Sequence, residues 1–214
     1  MKKDLMPDYK HKPSSREYLS ALTSFTSYCK LLNAEGKAYK NLVNWIITNG
    51  PQMRDADERI PDLKEIALLT NTPYNNIAKY LRDIYNDICS LNADDPKVFA
   101  EGSQKIYEIM FNYLGCYGYF NLGLETIPRE GERFDFYFMQ PKVGSSRFWV
   151  KDVLHEIIDG RQIITLKVTH EDPNLYLRLL REKAHLNGEI DWREYYGFLR
   201  YDTEKRLVNL YRNL

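Results

Sequence analysis

The hydrophobic pattern of this chain changes period near Gly115, and that change limits the fold more than any other feature. Before it, apolar residues recur every three or four positions, the spacing of a helix with one buried side. After it they alternate, the spacing of a strand with one buried face. A helical stretch, then strands, then helices again reads as an α+β protein.

Ser14 or Ser15 is placed to cap a first helix carrying Tyr18, Leu19, Leu22, Phe25, Tyr28, Cys29 and Leu32. A second helix is expected from about Lys37 to Thr48, stopped by Asn49-Gly50-Pro51. Further helices are expected at 62 to 70 and 73 to 90. Asn92-Ala93-Asp94-Asp95-Pro96 gathers polar turn formers and is the expected boundary between a helical domain, 1–95, and a second domain, 96–214. Residues 97 to 114 read as a connecting helix with Phe99, Ile106, Ile109, Met110 and Tyr113 on one side.

Beyond Gly115, Phe120, Leu122 and Leu124 alternate, and so do Phe134, Phe136 and Phe138. Residues 141 to 146 read as a loop. Phe148 to Ile158 and Arg161 to Thr169 flank Asp159-Gly160, a strong two-residue hairpin signal. The expected arrangement is an antiparallel meander of about four strands packed with C-terminal helices. Asp172-Pro173 starts the first of these helices and Asn187-Gly188 ends it; one or two more follow from about Asp191 to Arg212.

Thirty basic side chains balance thirty acidic ones, so bulk charge does not drive nucleic-acid binding and any such contact needs a local patch. The opening segment is the one basic bias, with Lys2, Lys3, Lys10, Lys12 and Arg16 against Asp4 and Asp8; it reads as a solvated terminus or as an arm for a DNA groove. No apolar run nears the roughly 18 to 20 residues that span a bilayer, and the first residues do not form a secretory signal, so a cytoplasmic protein without a membrane partner is expected. Cys29, Cys89 and Cys116 are too widely spaced for a zinc site and read as free thiols of a reducing compartment.

The segment from Pro61 to Ile84 resembles the helix-turn-helix of DNA-binding regulators. Ala67 is small where two steeply crossing helices approach. Asn71 stands where the family usually has Gly, and it is the next best residue for a positive backbone angle. Ile77 is placed to point back into the junction, with Leu63, Ile66, Leu81 and Ile84 beside it, and Leu42, Val43, Ile46 and Ile47 would form the third wall. The segment departs from the family at Thr72, where an apolar residue is commoner. The resemblance implies that residues 74 to 86 form a recognition helix presenting Tyr74, Asn75, Asn76, Lys79, Arg82 and Asn86 to double-stranded DNA. Asn pairs two atoms of adenine, Arg two of guanine, and Lys and Tyr reach phosphates. Asp83 and Asp87 dilute that face. Operators are read by two copies, so a homodimer is expected, with 96–214 serving dimerisation or the sensing of an effector that the sequence does not name.

The other constellations point to no enzyme and no cofactor. His11, His155, His170 and His185 are scattered, and His155-Glu156 lacks the second His of a zinc helix. Asp135 has Thr165, not a second acid, on the strand where a metal-dependent nuclease needs one. Seventeen tyrosines favour half-buried faces, and Trp149, opposite in direction to Phe148 and Val150, is the residue of the sheet most suited to a contact. The alternative to DNA binding is a non-enzymatic adaptor that uses the helical half for protein contacts.

Overall fold

The computed structural model describes residues 10–32, 34–54, 61–100, 105–158, 161–171, 174–196 and 200–212. Lys2 and Lys3, most of the polar stretch 54 to 59, the Asp159-Gly160 turn and the Asp172-Pro173 pair lie outside them.

Helix α1 runs Ser15–Ser24 behind a capping box: Ser14 Oγ accepts from Glu17 N at 3.2 Å and Glu17 Oε2 accepts from Ser14 N at 2.7 Å. The single helix expected to Leu32 is interrupted at Phe25, whose backbone leaves the helical region, and α2 resumes at Thr26–Leu31. Thr23 and Ser24 donate their hydroxyls back to the Leu19 and Ser20 carbonyl oxygens at 2.9 and 2.7 Å, a competition that loosens a helix end. The break sends the Phe25 ring against Phe136 and Phe138. Helix α3 is Lys40–Asn49. Gly50 ends it in close quarters, because a Cβ there would run into the Thr26 side chain and the Ile46 carbonyl oxygen. Helices α4, Leu63–Leu69, and α5, Tyr74–Asp94, follow.

Residues 97 to 114 are not a helix. One 3-10 turn, Pro96–Phe99, precedes strand β1, Ile106–Tyr113. Tyr107, Ile109 and Phe111 are buried at period two, whereas the helical reading buried Ile106, Ile109, Met110 and Tyr113. A short run apolar on both sides satisfies either period, and its aromatic and branched residues suit a strand. Leu114 and Gly115, both at positive φ, turn the chain into β2, Cys116–Gly123.

The expected strand through Phe138 ends early. Strand β3 is only Arg133–Asp135; a 3-10 turn, Tyr137–Met139, and helix α6, Gln140–Val143, replace the rest and part of the expected loop. Pro141 suits the first turn of α6, and Gly144 at φ +90° closes it. Strands β4, Arg147–Ile158, and β5, Arg161–Thr169, pair antiparallel as their pattern implies.

The sheet is mixed, not an antiparallel meander. Its order is β2-β1-β5-β4-β3, with β1 parallel to β5, and it curls into a half-barrel. Tyr107, Ile109, Phe111, Phe120, Leu122, Phe148, Val150, Ile164, Leu166 and Val168 line one face and share a single buried cluster with Leu19, Leu22, Leu42, Ile46, Ile66, Ile77, Leu81, Ile84 and Ile88 of the helices. The α+β class therefore holds, with helices and sheet fused across 95/96.

The chain divides into two compact units, Met1–Glu171 and Asp172–Leu214. The second has its own small core of Leu180, Ala184, Ile190 and Leu207, from helices α7, Leu175–Leu186, and α9, Arg200–Arg212, and the loop around the short α8, Trp192–Tyr196.

One buried polar side chain ties α5 to the sheet. Asn92 donates to the Asn121 carbonyl oxygen and accepts from the Asn121 amide, each at 2.8 Å, as a further backbone ladder would. Asn92→Ala leaves both Asn121 groups without that partner, and urea unfolding should show a loss of about 2 kcal/mol. Burial also pushes the Cys29 thiol up to about 12 and the Tyr28 and Tyr85 phenols above their ordinary range. These groups stay neutral in the folded chain at pH values where the unfolded chain ionises them. The Cys29 contribution is complete below pH 9, the ordinary thiol value, and is lost as pH rises toward 12; that of the two phenols begins to fall only above pH 10. The urea midpoint should fall over that interval, and Cys29 should resist alkylation until the chain unfolds.

Candidate nucleic-acid interface

Helix α4 starts on a second capping box. Asp62 Oδ1 accepts from Lys64 N and Glu65 N at 2.8 and 2.9 Å, and Glu65 Oε2 accepts from Asp62 N at 2.8 Å. It buries Ile66 and Ala67. Its end is a left-handed cap: Asn71 sits at φ +49°, its amide donates to the Leu68 carbonyl oxygen at 3.2 Å, and the Thr72 amide reaches back to the Ala67 carbonyl oxygen at 2.9 Å. Thr72 is buried without a polar cost, because its hydroxyl donates to the Thr70 carbonyl oxygen at 3.3 Å. Pro73 then sets the entry to α5, whose Ile77, Leu81, Ile84, Tyr85 and Ile88 are buried. Asn71 has the positive backbone angle that its spacing called for, and Ala67 and Ile77 are buried. The third wall differs: α3 packs on α1 and α2, while α1 lies against α5.

Six residues of α5 were singled out from sequence, and four of them share one exposed stripe. Asn75, Lys79, Arg82 and Asn86 recur at spacings of four, three and four, and all are exposed. The stripe is about 16 Å long at 1.5 Å per residue. Tyr74 is 52% exposed and stands to one side of it. Asn76 is half-buried and its amide lies 3.5 Å from the Tyr80 hydroxyl, off the stripe. Arg82 is close enough to Tyr18 to oppose the burial that raises that phenol.

Asp87 is less disruptive than its place on α5 suggests. Asp87 accepts a short hydrogen bond from Tyr39 and lies 3.4 Å from the Lys37 ammonium. Burial first, and then this bond, raise the Tyr39 phenol well above its ordinary range. Lys37 and Tyr39 thus draw the Asp87 charge to the flank of α5.

A second feature of the region was not read from the sequence. Leu68 is 83% exposed and Leu69 64%. Leu68 borders an open groove of about 490 Å³ with Lys64, Asn71, Pro73 and Tyr74. The signal was available: at 100° per residue, Leu68 and Leu69 fall away from the side that carries Leu63, Ile66 and Ala67.

The residues considered for chemistry are apart. Asp135 is held by Arg133 at 2.7 Å. His155 pairs with Gln162 at 3.0 Å and lies eight residues along β4 from Arg147, the partner of Asp135, roughly 26 Å at 3.3 Å per residue. Lys167 is engaged with Asp152 at 3.0 Å. Trp149 does oppose Phe148 and Val150, half-buried between Arg133 and Thr169 on the other face of the sheet. Among the described residues no group of three or more His, Cys, Asp or Glu could hold a metal ion, and no helix is long and apolar enough to cross a membrane. Comparison with protein-family models, with curated proteins and with solved structures finds no match to this chain.

The cap at Asn71 is open to test. Asn71→Val should destabilise by about 1 to 2 kcal/mol, the cost of a left-handed backbone on a side chain that cannot relieve it. Asn71→Gly should be tolerated or stabilising in the same thermal unfolding series.

Proposed function

We propose that the chain binds double-stranded DNA in the manner of a transcription regulator, with α5 entering the major groove. The observation that carries this reading is the stripe of Asn75, Lys79, Arg82 and Asn86, which follows directly on the left-handed cap at Asn71. The donors and acceptors on it are those that read base edges, and its long cations reach phosphates. Asn75 and Arg82 would supply sequence preference, Asn76 would act after turning from Tyr80, and Lys79 and Tyr74 would hold the backbone. Two copies would read the two halves of an operator. On this reading the protein would act in the cytoplasm, a reducing compartment that suits cysteines outside any disulfide.

A second reading has its own observation. Leu68 and Leu69 expose apolar area beside the groove, and a protein contact uses such area better than a phosphate backbone does. In that case α4 and α5 would serve an adaptor.

Fluorescence anisotropy with a random-sequence duplex across a salt series separates the two. The DNA reading expects micromolar binding that weakens steeply with salt. On a selected site, Arg82→Ala should cost about 1 to 3 kcal/mol, and Lys79→Ala should lower the salt slope by about 1. Absence of binding at low salt would sink the DNA reading and leave the adaptor.

A further inference from the structure

Helix α7 is apolar on two sides. Leu177, Leu180 and Ala184 face the small core of their own unit. Tyr176, Leu179 and Leu186 form a second stripe, exposed by 60%, 54% and 87%, with Lys183 completing the spacing of three, four and three. At 100° per residue the two sides are about 120° apart, so one partner cannot cover both.

We propose that this second stripe is an interface between two copies of the chain, with the two α7 helices antiparallel. Three observations favour a second copy. The unit Asp172–Leu214 has four buried apolar side chains among its described residues and no cysteine in its sequence. At that length a single core rarely carries a fold unaided, and association supplies the missing burial. The stripe is also self-complementary in one direction only. Antiparallel packing sets Tyr176 against the partner's Leu186, and Leu179 against the stem of the partner's Lys183. Parallel packing would stack Lys183 on the partner's Lys183, two like charges at a seam. Finally, the Lys183 ammonium lies 4.6 Å from the centre of the Tyr211 ring, which holds the charge at the edge of the stripe while the methylenes pack. The three apolar side chains expose on the order of 400 Å², about half of what a standard interface buries per partner, so the dimer belongs to the weak, reversible class.

This proposal is independent of what α5 binds. Sedimentation equilibrium of the full chain over a micromolar concentration series should show the mass rising from 25.4 kDa toward twice that value. Leu179→Glu should stay at 25.4 kDa throughout with an unchanged far-UV circular dichroism spectrum. Its binding to random duplex should equal that of the wild type at concentrations where both are monomers, whatever that binding is. Tyr176→Cys and Leu186→Cys proteins should form an intermolecular disulfide when mixed and oxidised, and neither should do so alone above the wild-type blank. A wild-type chain that stays at monomer mass overturns the proposal. So does a Leu179→Glu chain that dimerises like the wild type, and cross-linking of either cysteine variant alone contradicts the antiparallel order.

Discussion

Seven aromatic rings join the helices to the sheet, and the rest of the first unit is arranged around them. Phe25 and Tyr28, at the break between α1 and α2, meet Phe136, Phe138, Phe99 and Phe120 at centroid distances of 4.8 to 6.1 Å. Tyr85 of α5 stacks on Phe138 at 4.7 Å. Each ring removes a large apolar area from water, and edge-to-face and offset contacts add to it. Phe138 is at the centre, touched by Phe25, Tyr28, Tyr85, Phe120 and Phe136. That geometry explains two irregularities together. The helix break at Phe25 and the end of the strand after Asp135 both lie where these rings turn to a common centre.

The cluster also decides which side of α5 meets the solvent. Tyr85 on Phe138, and Asn92 on Asn121, fix the rotation of the helix about its axis. Asn75, Lys79, Arg82 and Asn86 are left outward as a consequence. Net charge is zero over the chain, so the chemistry of this surface rests on local placement: Asp87 is drawn aside by Tyr39 and Lys37, while Lys79 and Arg82 stay exposed. The apolar Leu68 and Leu69 beside it, and the α7 stripe of the second unit, are surfaces of another kind, suited to proteins rather than to phosphates.

Local patterns were legible where a single period or a special backbone angle was at stake. The cap at Ser14, the positive angle at Asn71, the buried Ala67 and Ile77, and the β4–β5 pair all follow from nearest-neighbour chemistry. Residues 106 to 113 were not legible, because Ile106, Ile109 and Met110 fit a helix and Tyr107, Ile109 and Phe111 fit a strand equally well. Their choice is settled by pairing on both sides, antiparallel with β2 across the adjacent turn and parallel with β5, whose Ile164 stands opposite Tyr107. No local signal announces such a partner. The same holds for the fusion across 95/96: the polar cluster at Asn92 to Asp95 looks like a linker, yet Asn92 is 2% exposed and bonded to the sheet. Of the candidate site, helical spacing revealed the stripe. The turning of Asn76 to Tyr80 depends on side-chain packing that spacing does not encode.

The helices and sheet of the first unit share one buried cluster built on the aromatic rings, and so should open as one cooperative body. Segment-resolved hydrogen exchange of the wild type and Phe138→Ala tests it most directly. The slowest amides of α5, β1 and β5 should share one opening free energy, and the substitution should lower all three by the same amount, about 3 to 5 kcal/mol. Loss of protection in the sheet with α5 unchanged would show two bodies folding separately, and would contradict it.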